Sequence, residues 1–317
     1  MSTPAVPAAP DPPTLIAVTG ATGRIGGAVA ALLHERGAPL RLLLRDPSRT
    51  PRWVRDARSV APADGQDGDG SGRARSAPSV EVAVAQYGDG EAVHAALTGV
   101  DVLLMVSASE SADRLLQHRT FIDAAAAAGV RHVVYTSFLG AAADAVFTLA
   151  RTHWATEEHL RASGMGFTLL RDSFYLDFLP DLAVDGVIAG PAGTGRVGAV
   201  AREDVARAAA AVLADLAAGD RRHDGAVYEL TGPRALSLSD VAAILTAAGR
   251  PTVYRQESVE EAYASRSVYG APDWQVDAWV STYTAIASGA LDRVTHDVER
   301  LTGRRPLGFA ELLAGRP

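Results

Sequence analysis

Cysteine is absent from this 317-residue chain, which excludes disulfides, thiolate catalysis and cysteine-ligated zinc together. Lysine is absent as well. All 30 basic side chains apart from histidine are arginines, so any mechanism that rests on a lysine ammonium or a Schiff base is closed. No apolar run approaches the roughly 20 residues that a membrane-spanning helix needs, so no membrane partner is expected. Positive charge is not in excess either. The net charge of −7 and the pI near 5.6 argue against a nucleic-acid binder, which would carry a basic surface. The eight histidines are scattered, with no His-Glu-x-x-His or other ligand spacing, so no metal site is expected. Residues 1–13 are rich in Pro and Ala and lack the basic and apolar regions of a signal peptide. They read as a flexible tail on a cytoplasmic protein. What remains is the composition of a globular enzyme, 48% hydrophobic and 21% charged, long enough for one large core or a core plus a smaller lobe.

Strand and helix patterns alternate along the first half. Residues 15–19 form a short apolar run with β-branched members, read as a buried strand. A glycine-rich turn and a helix over about 24–35 follow, with Ile25, Val29 and Leu32 at helical spacing. Further strands are expected at 40–44, 80–85, 102–106, 130–136 and 167–170, and helices at 91–97, 112–128 and 149–162. The stretch 52–79 lacks an apolar period and reads as a surface loop, its low-complexity part (59–79) as an insertion. This rhythm implies an α/β chain of Rossmann type with a doubly wound parallel sheet over residues 14–172. From 173 to 317 the rhythm loosens. That part is expected to form mainly a smaller C-terminal substrate lobe over the cofactor, with some of its elements returning to the Rossmann domain.

The chemistry is concentrated at strand ends. Thr19-Gly20-Ala21-Thr22-Gly23-Arg24-Ile25-Gly26 follows a strand and opens a helix. Gly20 permits the tight turn, Gly23 lets backbone approach a pyrophosphate, and Gly26 allows close packing of helix on strand. The free N–H groups of the helix start then face the phosphates. At the end of the second strand stands Arg45, where an NAD enzyme usually places a carboxylate and an arginine accommodates a 2′-phosphate. Arg24 and Arg49 lie near it in sequence, and guanidinium forks suit phosphate. The expected cofactor is therefore NADP(H), with Asp46 keeping NAD open. Ser107 ends the fourth strand, and Tyr135, Thr136 and Ser137 end the fifth, as small hydroxyl residues lining a nicotinamide cleft often do. His153 and Glu157 stand four apart on one helical face and could pair, either as an acid–base couple or as a plain surface ion pair. Aromatic residues of the later half suit a flat conjugated ligand or an ordinary core.

These stretches together resemble the NmrA-like, atypical short-chain dehydrogenase/reductases, and most closely their type 2 NADPH:quinone oxidoreductases. The glycine motif, Gln86-Tyr87-Gly88-Asp89, Val106-Ser107-Ala108-Ser109-Glu110 and Gln117-His118-Arg119 carry the resemblance. So do Tyr135-Thr136-Ser137, Thr168-Leu169-Leu170-Arg171 with Tyr175, Arg202-Glu203-Asp204-Val205-Ala206 and Tyr228-Glu229-Leu230-Thr231-Gly232. The group often has Asp where this chain has Gln86. The resemblance implies NADP(H) binding at Gly20, Thr22, Gly23, Arg24, Ile25, Gly26, Arg45, Ser107, Thr136 and His153. It implies catalysis around His153, Tyr135 and Ser137, and a substrate pocket at Phe138, Tyr175 and Trp274. Ordinary short-chain reductases carry Tyr-x-x-x-Lys on the helix after the fifth strand. The spacing to Glu157, Leu160, Ser163 and Gly164 places His153 at the lysine position and Leu149 at the tyrosine position. The proton-donating pair is thus missing, which disfavours simple ketones and favours a quinone-like acceptor, whose reduced anion water can protonate. The expected activity is NADPH-dependent hydride transfer to a quinone-like or conjugated carbonyl substrate, in a chain with room for homodimerisation. A non-catalytic NADP(H)-sensing regulator and a tailoring reductase of secondary metabolism are the alternatives.

Overall fold

The computed structural model describes residues 14–59 and 79–315, so the expected tail and nearly all of the expected insertion lie outside the described residues. In the first half, β1 (Ile16–Val18), α1 (Arg24–Glu35), β2 (Leu40–Leu44) and α2 (Arg52–Ser59) lead to β3 (Val80–Val84). Then come α3 (Gly90–Leu97), β4 (Val102–Met105), α4 (Arg114–Ala127), β5 (His132–Phe138), α5 (Thr148–Ala162) and β6 (Gly166–Asp172). The apolar spacing of α1 explains its seat: Val29 and Leu33 are fully buried, and the helix stops before Gly37, whose φ of +78° few other residues adopt.

The six strands and a later one form a single seven-stranded sheet in the order β10-β6-β5-β4-β1-β2-β3, where β10 is Val227–Leu230. Every neighbouring pair is parallel. The order reverses between β1 and β4, and the clefts of such folds open at that switch point, beyond the carboxyl ends of the strands. One face of the sheet is covered by α1 and α6 (Arg202–Ala217) through a core holding Val29, Leu33, Val205 and Leu213. The other face is covered by α3, α4 and α5 through Val93, Phe121, Ile122 and Leu160. Strands buried on both faces read as continuous apolar runs, which is why β4 and β5 stood out in the sequence.

The rest of the second half builds a lobe. It holds a three-stranded sheet, β7 (Ala183–Val184), β8 (Val187–Gly190) and β12 (Val253–Gln256), and an antiparallel pair, β9 (Arg196–Val197) and β11 (Leu236–Ser237). Helices α7 (Leu238–Ala247), α8 (Val259–Ser267), α9 (Asp273–Ala287) and α11 (Phe309–Ala314) complete it, while α10 (Asp297–Thr302) returns to the main domain, where Val298 enters the core shared with α6 and β10. The lobe's core joins the main domain through Phe138, Phe147 and Ala150. Among the described residues no helix is long and apolar enough to cross a membrane.

Two expectations change. Residues 52–59 are a helix, not loop: Trp53 stacks on His34 with ring centroids 4.7 Å apart, and Val54 is fully buried. The fifth strand runs two residues further than its apolar pattern suggests, so Ser137 and Phe138 lie within β5 and pair with Arg171 and Asp172 of β6.

Candidate active site

A cleft of about 850 Å³ opens at the switch point, between the β1–α1 turn and the segments that follow β2, β3 and β4. Gly20, Thr22 and Gly23 line it, with Arg45, Tyr87 and Ser107. The glycines are required here by space as well as torsion. Gly20 has φ +63°. A Cβ on Gly26 would stand 2.4 Å from the Thr19 carbonyl oxygen and 2.5 Å from that of Gly20, so only glycine lets α1 approach β1 this closely. Helix α1 starts without a side-chain cap and without an acid in its first turn. Its N-terminal donors are therefore available to an anion. These features fit a dinucleotide pyrophosphate.

A smaller recess of about 230 Å³ adjoins the cleft, lined by Thr22, Arg45, Asp46, Arg49 and Gln86. Arg45 and Arg49 make no ion pair there with a described residue. The Asp46 carboxylate instead accepts a hydrogen bond from the Ser48 backbone N–H at 2.9 Å, capping a short helical turn, and the Ser48 hydroxyl first, then that backbone bond, lower its pKa. The recess thus offers two guanidinium groups and an already engaged carboxylate, a donor set for a phosphate. Arg24 is exposed and outside both cavities, and Ile25 and Gly26 are buried in the start of α1. The arginine grouping is therefore Arg45 with Arg49 rather than Arg45 with Arg24. Gln86 lines cleft and recess alike.

Behind the cleft floor lies a buried polar network. The Ser107 N–H donates to Thr136 Oγ1 at 2.8 Å, tying the end of β4 to β5. Tyr87 joins its hydroxyl to Thr19 Oγ1 at 2.7 Å and donates to the Val106 carbonyl. Arg114, only 5% exposed, opens α4. Its guanidinium donates to the Ala108 carbonyl (2.9 Å), Thr152 Oγ1 (3.0 Å) and His153 Nε2 (2.9 Å). It makes no ion pair with any described carboxylate, which is unusual for a buried cation. Because Nε2 of His153 accepts, its proton sits on Nδ1 and is donated to the Tyr135 oxygen at 2.9 Å. Burial and the neighbouring Arg114 charge hold His153 well below its ordinary pKa. His118 is held likewise, down to about 3, with Nε2 accepting from the Ala108 N–H.

The expected pairing of His153 with Glu157 does not form. Glu157, fully buried, receives a bidentate clasp from Arg171 (2.6 and 2.8 Å), a second cation from Arg161 (3.2 Å) and the Ser137 hydroxyl (2.5 Å). Two guanidinium groups and a hydroxyl saturate its oxygens, and a neutral imidazole cannot compete with them. His153 instead lies against Phe138, centroids 6.0 Å apart. Phe138, Phe147 and Phe174 pack mutually at 4.9 to 5.1 Å, forming an aromatic wall at the ends of β5 and β6. Tyr175 follows that wall, its hydroxyl 2.6 Å from Asp172 Oδ2. Trp274, half-buried in the first turn of α9, makes no ring contact with the wall. Arg114, His118 and Asp172 were not anticipated. A single Arg or Asp at an element's end carries no sequence signal until the strand register is known.

Residues 20–216 match the NAD(P)H-binding family. The chain is 34% identical to quinone oxidoreductase 2 of Escherichia coli (strain K12), across 94% of this chain and 96% of that protein. It is 30% identical to the NAD(P)H azoreductase of Xenophilus azovorans over the same shares. The crystal structure of the Escherichia coli NADPH-dependent quinone oxidoreductase in complex with NADPH superposes with a TM-score of 0.78 at 32% identity, covering 94% of this chain and 98% of that one.

Proposed function

This chain belongs to the NAD(P)H-binding family as an NmrA-like, atypical short-chain dehydrogenase/reductase, and on that basis we propose that it is an NADPH-dependent oxidoreductase that reduces quinone-like compounds. The observation that carries the substrate class is the wall of Phe138, Phe147 and Phe174 beside a neutral His153. Phe138 and Phe147 are packed in the core, so the half-buried Phe174 is the member of the wall that a flat conjugated ring could stack on, whereas an isolated ketone would find neither Tyr nor Lys at the positions its reduction needs. The relatives named as quinone oxidoreductase and azoreductase support the same reading.

The residues divide the work. Backbone at Gly20, Thr22 and Gly23, with the uncapped start of α1, would hold the pyrophosphate. Arg45 and Arg49 would hold the 2′-phosphate, and Gln86 would border the adenosine. Ser107, tied to Thr136 by its N–H, would support the nicotinamide end of the cofactor. When bound, reduced nicotinamide dinucleotide supplies a hydride. His153, buried behind the cleft, would back its far end as a neutral ring oriented by Arg114 rather than act as an acid, because both of its ring nitrogens are engaged. With no lysine in the chain, Arg114 is the buried cation of this end. The chain's task is then to align donor and acceptor rings and exclude water.

The test is spectrophotometric. Purified protein mixed with NADPH and a soluble benzoquinone should oxidise NADPH with saturation in both reactants. Tight NADPH binding without turnover on any quinone or azo dye would instead identify a sensor.

A further inference from the structure

We propose that Tyr175 and Asp172, at the carboxyl end of β6, form the proton donor of this site, Tyr175 giving its phenolic proton to the reduced quinone and Asp172 orienting and reloading it. The inference rests on quinone reduction as the activity and adds the source of the second proton.

Three observations place the pair. Asp172 is 3% exposed and ends β6 in register with Phe138, whose ring belongs to the aromatic wall. Tyr175 follows directly on Phe174 of that wall. It packs against the main core, the cluster to which Ala21 and Ile25 of the glycine turn also belong. Its hydroxyl meets Asp172 Oδ2 at 2.6 Å, a distance typical of a bond between a hydroxyl and a carboxyl group. Several other hydroxyl and imidazole protons nearby are committed: Ser137 donates to Glu157, Thr156 to the Thr152 carbonyl, and the Nδ1 proton of His153 goes to Tyr135, whereas the buried Ser173 hydroxyl has no hydrogen-bond partner among the described residues. The groups facing Asp172 are Tyr175, Arg114 from α4 and Arg202 from α6. Its strand partners Phe138 and Leu230 are apolar. Arg202 also lies over the Tyr175 ring at 4.8 Å, and its backbone N–H is taken by Asp177. Burial raises the Asp172 carboxyl to about 7 against the pull of both arginines.

The direction of the 2.6 Å bond depends on that proton. When Asp172 is ionised, Tyr175 donates to it and has no proton to give. When Asp172 is protonated on Oδ2, it donates to the phenolic oxygen, and the Tyr175 O–H turns outward. Transfer of a hydride adds two electrons and one proton to the quinone and leaves the hydroquinone monoanion. The Tyr175 O–H bond then breaks as the second hydroquinone O–H bond forms. The Asp172 proton passes to the tyrosinate oxygen, and solvent reprotonates Asp172. Electrons come from the reduced nicotinamide alone.

The experiment measures kcat for a benzoquinone from pH 5.5 to 8.5 in wild type, Asp172→Asn and Tyr175→Phe. Wild-type kcat should fall by about tenfold as pH rises through 7, a modest share of what a general acid can contribute. Asp172→Asn should lose the inflection and run near the wild-type alkaline level throughout. Tyr175→Phe should be low at all pH values, with NADPH affinity intact. An unchanged inflection in Asp172→Asn, or wild-type turnover in Tyr175→Phe, overturns the proposal. As a second readout, infrared difference spectra of the NADPH-bound protein should show a protonated carboxylic acid that ionises near neutrality and is absent from Asp172→Asn. Its persistence in the variant also overturns the assignment. Failure of the quinone reading itself would look different: no turnover in any of the three proteins, whatever the carboxyl titration shows.

Discussion

At the scale of single residues, the decisive feature of the cofactor cleft is which charges are already spent. Asp46 stands next to Arg45, where a carboxylate could hold a ribose diol. Its Oδ1 is instead used on the Ser48 N–H, and the two free guanidinium groups of the recess are left facing a ligand. A 2′-phosphate gains from that arrangement and a bare diol does not. Arg45→Ala should therefore weaken NADPH binding by about tenfold to a hundredfold, the worth of one charged hydrogen bond, and leave NADH binding nearly unchanged. Fluorescence titration of both cofactors against both proteins measures this. Equal wild-type affinities for NADPH and NADH would contradict it. The same logic separates His153 from Glu157. Spacing put them on one face, but the partners that reached Glu157 first came from β6 and from the next turn of α5, and no reading of a single helix reveals those.

At the scale of elements, the glycine turn with its flanking β1 and α1 was the most legible part of the chain. Its glycines answer local demands of torsion and contact that the sequence states directly. Gly26 shows how strict the demand is. A Cβ there would collide with two backbone oxygens, which cannot swing aside as a side chain would. Gly26→Ala should push α1 away from β1 and cost about 3 kcal/mol, the upper end of ordinary overpacking, while weakening NADPH binding. Urea unfolding together with a cofactor titration tests both, and a variant as stable as wild type would show that the turn can relax. Less legible were features set by long-range pairing. The apolar residues Val130 and Val133 suggested a strand from 130, yet the Val130 N–H bonds the Ala125 carbonyl, completing the end of α4. The strand's true end, with Ser137 and Phe138, is fixed only by its register with Arg171 and Asp172. The proposed proton-donor end of the site inherits that illegibility, because Asp172, Tyr175 and the aromatic wall are defined by where β5 and β6 stop. Helix α2 was hidden for a similar reason. Its seat depends on Trp53 finding His34 on another helix.

At the scale of the whole molecule, the buried titratable groups set a pH window for stability. Burial holds His118 near 3, His132 near 4 and His153 well below its ordinary value, whereas in the unfolded chain each would titrate near 6.5. These pKa values are depressed in the fold, so the unfolded state binds the extra protons. The stability involved is fully present above about pH 6.5 and is lost as pH falls below it. Asp172 acts in the opposite sense. Its folded value near 7 lies above its unfolded 3.8, so it favours the fold increasingly as pH drops from 7 toward 4. Three histidines against one aspartate give a net uptake of about two protons on unfolding between pH 5.5 and 4.5. Each such proton is worth ~1.4 kcal/mol per pH unit, so the histidines win and the molecule is acid-labile. The melting temperature should be nearly flat from pH 8 to 7 and fall steeply below 6. His132 is the best probe, because it lies at the start of β5, bonded to Thr168 Oγ1 at 2.9 Å, on the opposite end of the strand from the cleft. His132→Asn should lower the net proton uptake from about two to about one and halve the slope of unfolding free energy against pH, whatever it does to absolute stability at pH 8. Chemical denaturation at four pH values between 4.5 and 7.5 reads that slope. A wild-type slope in the variant would mean that His132 is already protonated in the fold, its proton held by Asp224 at 3.3 Å.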